Sequence, residues 1–255
     1  MLVAINGFCG KMGQVVYKKI MQDKDLSFAG GVDKLSVINS FASNYNNVAV
    51  FDNLSKISKC EGVIDFSHAS SLDGVLSYCI KNRLPLVIAT TGHSNLQNKQ
   101  IQFASNFIPI CKSGNFSVGV QALLKLTSEC AKIMQNADIE IVETHHNKKI
   151  DSPSGTAKML LEEILKVRPN SYATFNRHQN GLKAPNEIGI FSLRGGNVVG
   201  EHKCIFFEGD ECITITHQAF SREIFADGAV KAIKFLKNKQ KGLYSMQDLL
   251  SQEFL

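Results

Sequence analysis

The sequence predicts an α/β protein in two parts: a doubly wound parallel sheet, then an α+β region built on a mixed sheet. Three observations carry this. Up to about residue 113, short continuously apolar runs alternate with helical patterns. A glycine-rich turn lies directly after the first of these runs. Beyond it, from about residue 138, runs of alternating polarity follow one another with few helices between them. Continuously apolar strands separated by helices belong to a parallel sheet covered on both faces, whereas alternating strands belong to sheets with one face turned to solvent.

In chain order, "LVAIN" (2–6) reads as a strand and "KMGQVVYKKIMQ" (11–22) as an amphipathic helix with Val15, Ile20 and Met21 on its apolar side. "FAGGVD" (28–33), "NVAVF" (47–51), "GVIDFS" (62–67), "PLVIATT" (85–91) and "FIPICKS" (107–113) are further strands, with "SSLDGVLSYCIKN" (70–82) a helix between them. "NFSVGVQALLKLTSECAKIMQ" (115–135) is a long helix, and "DIEIVETH" (138–145) alternates as a half-buried strand should. A helix begins near residue 154. The strands 188–194, 202–208 and 211–219 follow, and a last helix covers 222–238.

The chain has 255 residues, enough for one large domain or two modest ones with a real core. A formal charge of +5, spread along the chain, suits a small anionic ligand and does not point to nucleic acid. Its densest lysine run, "KAIKFLKNKQKG", reads as a solvated helix face. Seven scattered cysteines contain no C-x-x-C pair, which argues against disulfides and cysteine-bound zinc and fits a reducing cytoplasm. No window approaches the ~20 apolar residues that cross a bilayer, and no leader pattern opens the sequence. The expectation is a soluble cytoplasmic protein with no membrane, nucleic-acid or metal partner.

"NGFCGKMGQ" sets Gly7, Gly10 and Gly13 three apart between the first strand and the first helix. Glycines there let the backbone turn tightly and approach a pyrophosphate, which sits where the helix N-terminus presents free N–H groups. Asp33 ends the second strand, where an acid would hold the ribose hydroxyls of NAD, and Lys34 beside it can take the 2′-phosphate of NADP. This order of strand, glycines, helix, strand and acid is Rossmann-like. "ATTGHS" (89–94) and "KSGNFSVG" (112–119) lie at the carboxyl ends of later strands, where open α/β sheets bind ligands. Ordinary connecting loops are the competing reading for each.

"ETHHNKKIDSPSGTAKML" (143–160) concentrates titratable and anion-seeking groups. Ser152 reads as an N-cap and Pro153 as the first helical residue. The N–H groups of Ser154, Gly155 and Thr156 then point out of a helix start, a carboxylate or phosphate site with Lys148 and Lys149 just upstream. His145 and His146 end the preceding strand and point to opposite sides, so one can face a substrate as a proton donor. A surface His-Lys loop with a capped helix is the competing reading. The spacing does not match a zinc site.

Together these blocks resemble the 4-hydroxy-tetrahydrodipicolinate reductase (dihydrodipicolinate reductase) family of bacterial lysine and diaminopimelate synthesis. "ETHHNKKIDSPSGTA" matches its E-x-H-H-x-x-K-x-D-x-P-S-G-T-A, and "GFCGKMG" its G-x-x-G-x-M-G. "RGGNVVGEH" (194–202) and "HQAFSR" (217–222) match two later segments in the same order. The resemblance implies a dinucleotide-binding domain of 1–114 with 223–255, and a substrate-binding and tetramerisation domain of 115–222. It implies hydride transfer from NADH or NADPH to the cyclic dicarboxylate, giving tetrahydrodipicolinate, in a homotetramer. It makes His145 the proton donor with Lys149 its partner, and places His146, Lys149, Gly155 and Thr156 on the substrate. Gly7, Lys11, Met12, Asp33, Thr90, Gly92, Asn115 and Phe116 would line the cofactor site, with Lys34 beside them. Ala89 replaces the first glycine of the family's G-T-T-G, and Ser113 and Gly114 replace the first two residues of its A-P-N-F; both changes lie on the cofactor side. A different nicotinamide dehydrogenase and a non-catalytic dinucleotide sensor remain alternatives at this point.

Overall fold

The structure is a computed structural model that describes residues 1–41, 48–178 and 180–253. The chain divides into two compact units, Met1–Phe116 with Glu223–Leu255, and Ser117–Arg222. Asn115 and Phe116 belong to the first unit. The Phe66 and Phe116 ring centroids lie 6.4 Å apart, and a Cβ on Gly228 would lie 1.7 Å from the Phe116 carbonyl oxygen.

In the first unit, strands β1 (Leu2–Asn6), β2 (Ser27–Val32), β3 (Val50–Phe51), β4 (Gly62–Asp65), β5 (Leu86–Ile88), β6 (Pro109–Lys112) and β12 (Gly242–Tyr244) form one parallel sheet. Their order is β12-β6-β5-β4-β1-β2-β3. Asn47, first residue of the expected third strand, lies outside the described residues. Helices α1 (Lys11–Gln22), α2 (Leu35–Phe41), α3 (Leu72–Asn82), α4 (Asn95–Ala104), α7 (Glu223–Leu236) and α8 (Met246–Glu253) connect and cover the sheet. Helix α7 packs on β4, β5 and β6 and against α1, which ties the chain's last segment to its first. On α1 the buried residues are Gly13, Val16 and Ile20, while Met21 is exposed. The expected apolar side is corrected because the helix turns Gly13, its one residue without a side chain, toward the glycine loop.

Three of the helices and one strand here went unread in the sequence for local reasons. Helix α2 has only seven residues. Helix α4 carries a full Ser94–Gln97 capping box but only two buried residues, so its apolar period is weak. Strand β12 is three residues long and needs β6 as a partner. Helix α8 is short.

In the second unit, β7 (Asp138–His145) lies at the centre of a five-stranded mixed sheet, order β11-β10-β7-β9-β8. It pairs antiparallel with β10 (Gly200–Glu208) and parallel with β9 (Glu187–Arg194). Strands β11 (Glu211–Ala219) and β8 (Tyr172–Phe175) form the edges. Helices α5 (Val118–Ile133) and α6 (Gly155–Val167) pack on each other. With Ile139, Ile141, Cys204 and Phe206 they build the core of this unit. The outer positions of the sheet carry half-buried or exposed Val142, Phe191, Leu193, Ile205 and Phe207. Among the described residues, no helix is long and apolar enough to cross a membrane.

Arg168, just past α6, closes the far end of α5. Its guanidinium donates to the carbonyls of Ala131 (3.1 Å), Ala137 (2.9 Å) and Met134. Helix C-termini leave carbonyls without intrahelical partners, and here one cation satisfies two of them, with the Ala137 carbonyl of the following turn as a third acceptor. Arg168→Ala is expected to lower the stability of this unit by about 3 kcal/mol, read from urea unfolding, since a hydrogen bond to a charged group contributes a net ~1.5–3 kcal/mol. A midpoint unchanged from the parent protein would show that water replaces the guanidinium without loss.

Candidate active site

One group of candidate residues gathers in the first unit, at the carboxyl ends of β1, β2 and β4. Gly7 has φ +81°, and a Cβ there would stand 2.5 Å from the Phe66 carbonyl oxygen. The turn is pinned by the Gly7 and Phe8 N–H groups, which both donate to the Val32 carbonyl. Gly10 caps α1, so Lys11 and Met12 are its first two residues. Asp33 follows β2 and accepts N–H bonds from Cys9 (2.9 Å) and Lys34 (2.8 Å), which aims its carboxylate across the turn. Burial, with the Asp33 charge second, pushes the Cys9 thiol up to about 11, so it stays protonated.

Gly7, Gly10, Asp33, Lys34, Phe66 and Ser67 are among the residues lining a cavity of about 410 Å³. Thr90 is buried and acts as a tether: its Oγ1 accepts the Ser67 N–H (2.9 Å) and its N–H donates to the Asp65 carbonyl (3.2 Å). Gly92 has φ +78° in open space. Thr90, Gly92, Asn115 and Phe116 do not line this cavity, although Phe116 adjoins Phe66, which does. These pieces fit a dinucleotide: backbone bare of side chains before a helix N-terminus, and a held carboxylate one strand away. Asp65, not singled out in the sequence, is 1% exposed beneath the crevice, where its Oδ1 accepts from Asn6 (2.8 Å) and Ser67.

The other group gathers in the second unit. The alternation of β7 turns Glu143 and His145 to the same buried face. The His145 Nδ1–H donates to Glu143 Oε2 in a very short contact. Arg194 forks onto the same carboxylate, Nη1 to Oε2 (2.9 Å) and Nη2 to Oε1 (2.8 Å). The Ser154 N–H donates to Oε1 (3.1 Å). Burial pushes the Glu143 carboxyl up, but the bonds from His145 and Arg194 outweigh it and hold it well below the ordinary carboxylate range. His202, opposite Glu143 in the β7–β10 register, bonds Ser154 Oγ (2.9 Å), and its ring lies 5.0 Å from that of His145.

The helix start differs from the expected one. Ser154, not Ser152, is the N-cap of α6: its Oγ accepts the Ala157 N–H, and Gly155 is the first helical residue. The Ser154 N–H is spent on Glu143, and Gly155 and Thr156 follow it as the first two residues of α6. Gly155 is exposed, and a Cβ there would meet nothing within 4 Å. Nearby, Lys149 pairs with Asp151 (2.8 Å) and His146 Nε2 lies 3.4 Å from Arg222. Lys148 is exposed.

The sequence reading missed Glu143, Arg194, Ser154 as a cap, and His202. Glu143 was legible as the same-face neighbour of His145. Arg194 and His202 reach the site only through strand register, His145 facing Arg194 and Glu143 facing His202. Glu143, His145 and His202 offer ligand atoms within 4.8 Å of one another. The Arg194 guanidinium, however, already fills the place a metal cation would take on Glu143.

Burial, followed by the His145 charge, pushes His202 down to about 3. It is therefore neutral in the folded unit, whereas the unfolded chain takes up its proton near the ordinary histidine value of ~6.5. Stability is full above that value and falls as the pH drops toward about 3. The expected loss is about 2 kcal/mol by about pH 5, at ~1.4 kcal/mol per unit. Glu143 adds a loss below the ordinary carboxylate value, since its folded pKa is depressed. His202→Gln is expected to flatten the dependence between about pH 6.5 and about pH 5 in urea unfolding. An equally steep dependence in the variant would assign the acid sensitivity elsewhere.

Family models describe both parts of the chain: "Dihydrodipicolinate reductase, N-terminus" matches residues 1–116 and "Dihydrodipicolinate reductase, C-terminus" matches residues 119–250. The 4-hydroxy-tetrahydrodipicolinate reductase of Caldanaerobacter subterraneus subsp. tengcongensis is 42% identical over 253 residues, covering 97% of each chain. That of Clostridium tetani is 41% identical, covering 98% of this chain and 96% of its own. A dipicolinate-bound dihydrodipicolinate reductase from Paenisporosarcina sp. TG-14 superposes with a TM-score of 0.80 at 26% identity, covering 96% of this chain and 97% of that one. A myo-inositol dehydrogenase from Corynebacterium glutamicum, 13% identical with a TM-score of 0.62 over 99% of this chain and 93% of its own, shares the fold alone. The match therefore runs through both halves and not the nucleotide fold only, and this chain belongs to the dihydrodipicolinate reductase family.

Proposed function

We propose that this chain catalyses the NAD(P)H-dependent reduction of 4-hydroxy-tetrahydrodipicolinate to tetrahydrodipicolinate in lysine and diaminopimelate biosynthesis, with His145 as proton donor. The observation that carries the site assignment is the His145 imidazole, held through Nδ1 by a buried carboxylate beside the open N-terminus of α6.

A bound nicotinamide supplies the hydride. The chain's own residues do the rest. The Gly155 and Thr156 amides, with His146 and Lys149, hold the substrate carboxylates and so orient the ring. With Nδ1–H committed to Glu143, the proton leaves from Nε2 and quenches the negative charge that builds on the reduced ring. Lys149, held in place by Asp151, offers its ammonium N–H groups as donors to a substrate carboxylate. Gly7, Lys11 and Met12 cradle the dinucleotide phosphates. Asp33 holds the ribose, Lys34 beside it admits a 2′-phosphate, and Thr90, Gly92, Asn115 and Phe116 bound the nicotinamide end. Asp33 and Lys34 side by side support use of both NADH and NADPH.

The first unit is the dinucleotide-binding domain in this reading. The second binds substrate and builds a homotetramer through the outer, half-exposed apolar positions of its sheet. Seven free cysteines suit a reducing cytoplasm. The test generates the substrate in situ from pyruvate and aspartate semialdehyde with the upstream synthase and follows loss of reduced nicotinamide absorbance, with NADH and NADPH assayed separately. Synthase-dependent oxidation is expected with both. No oxidation with either, by folded protein that binds the dinucleotide, would overturn the reading.

A further inference from the structure

We infer that Arg194 is a positioning residue that keeps His145 a competent acid by sharing the Glu143 carboxylate with it. This rests on His145 being the proton donor. A carboxylate bonded to one imidazole alone stabilises the imidazolium and makes it reluctant to release its proton. Here the carboxylate is not left to the imidazole. Glu143 Oε2 accepts from His145 and Arg194, Oε1 accepts from Arg194 and Ser154, and the Ser192 hydroxyl also donates to this carboxylate. That fills the roughly four acceptor positions of a carboxylate. Arginine stays charged throughout the working pH range, so the Arg194–Glu143 fork is a neutral unit that still orients the ring.

The surrounding groups do not supply a counter-charge of their own. From β10, His202 faces the ring as a neutral imidazole. Behind it His217 on β11 lies opposite His202, and burial pushes it down as well. From the loop after β7, Lys149 and Asp151 cancel each other at 2.8 Å, and His146 faces the cationic Arg222. The charged form of His145 is therefore matched by the carboxylates of the incoming dianion, not by the protein. The atom that gives up the proton is also kept clear: a Cβ on Gly200 would stand 3.0 Å from His145 Nε2.

A purely structural Arg194 is the competing account, because it also bonds the carbonyls of Leu193 (2.7 Å) and Asp151 (2.8 Å). Loss of a structural tie lowers the rate without moving its pH dependence. The test measures kcat against pH in the coupled assay with the full-length enzyme. In parallel it follows the His145 Cε1 resonance by carbon-edited NMR in the same variants. Arg194→Gln is expected to move the alkaline limb of kcat and the His145 titration upward by about one pH unit, the effect of removing a nearby cation. Arg194→Lys keeps the charge without the fork, and is expected to lower kcat with the limb in place. Should Arg194→Gln not fold, a second pair decides. Glu143→Gln moves the limb down, and the Glu143→Gln/Arg194→Gln double variant returns it to near the parent position.

An unmoved limb and an unmoved His145 titration in Arg194→Gln, or a double variant that stays with Glu143→Gln, would overturn the inference. A His145 titration that moves while the kcat limb does not would uphold the charge sharing and remove His145 as the donor.

Discussion

Replacing His145 with Ala is expected to lower kcat by ~100- to 10,000-fold, the usual contribution of a positioned acid, with dinucleotide affinity unchanged. His145 is 8% exposed and ends a central strand, so its loss would remove the proposed proton donor while leaving the start of α6, the proposed carboxylate site, in place. The Michaelis constant for substrate should therefore change far less than kcat. Glu143 keeps the Arg194 fork and the Ser154 N–H, so the buried carboxylate is not left without partners and the variant should fold. His145→Gln is the control, because its amide can still donate to Glu143 while it has no proton to give at neutral pH. It should be nearly as slow as the Ala variant. Turnover at saturating substrate equal to that of the parent enzyme would remove His145 from the mechanism.

Gly13→Ala should cost the protein dinucleotide binding. In an ordinary helix the change is favourable by ~1 kcal/mol, because alanine is the better helix former. Here the new Cβ would stand 2.3 Å from the Gly7 carbonyl oxygen, 2.6 Å from the Phe8 carbonyl oxygen and 2.7 Å from Phe8 Cα. All three atoms are backbone, so no side chain can swing aside. Either the first turn of α1 or the glycine loop must move, at a cost of ~3 kcal/mol. That movement displaces the amides that would meet the pyrophosphate. A loss of up to ~100-fold in dinucleotide affinity is expected by titration calorimetry, since each ~1.4 kcal/mol is tenfold. Binding as tight as that of the parent chain would mean the loop is a structural turn and no phosphate cradle.

Much of the fold was legible because its elements carry their own periodicity. β1 and α1 fall on the residues where the pattern put them, as do β7 and β11. The elements that escaped are those whose stability comes from elsewhere. β12 is three residues paired to β6, β8 is a short edge strand, and α4 is a polar helix begun by a capping box. The N-terminus of α6 was legible as a helix start but misplaced by two residues. Ser152 and Ser154 are equally good caps in isolation, and the choice falls to Ser154 because its N–H reaches Glu143 and its Oγ reaches His202.

What the sequence determined by itself about this protein is therefore local: the two kinds of sheet, the glycine loop followed by an acid, and a histidine pair before a helix start. Each is set by residues close in sequence, through backbone freedom, periodicity and capping. The tertiary structure alone decided which groups surround His145. Glu143 to Arg194 spans 51 residues and Ser154 to His202 spans 48, and only the register of β9 and β10 on β7 brings them together. Strand register is a long-range property, fixed by which faces are buried when the sheet assembles, and a shift of one residue would turn Arg194 and His202 to the opposite face.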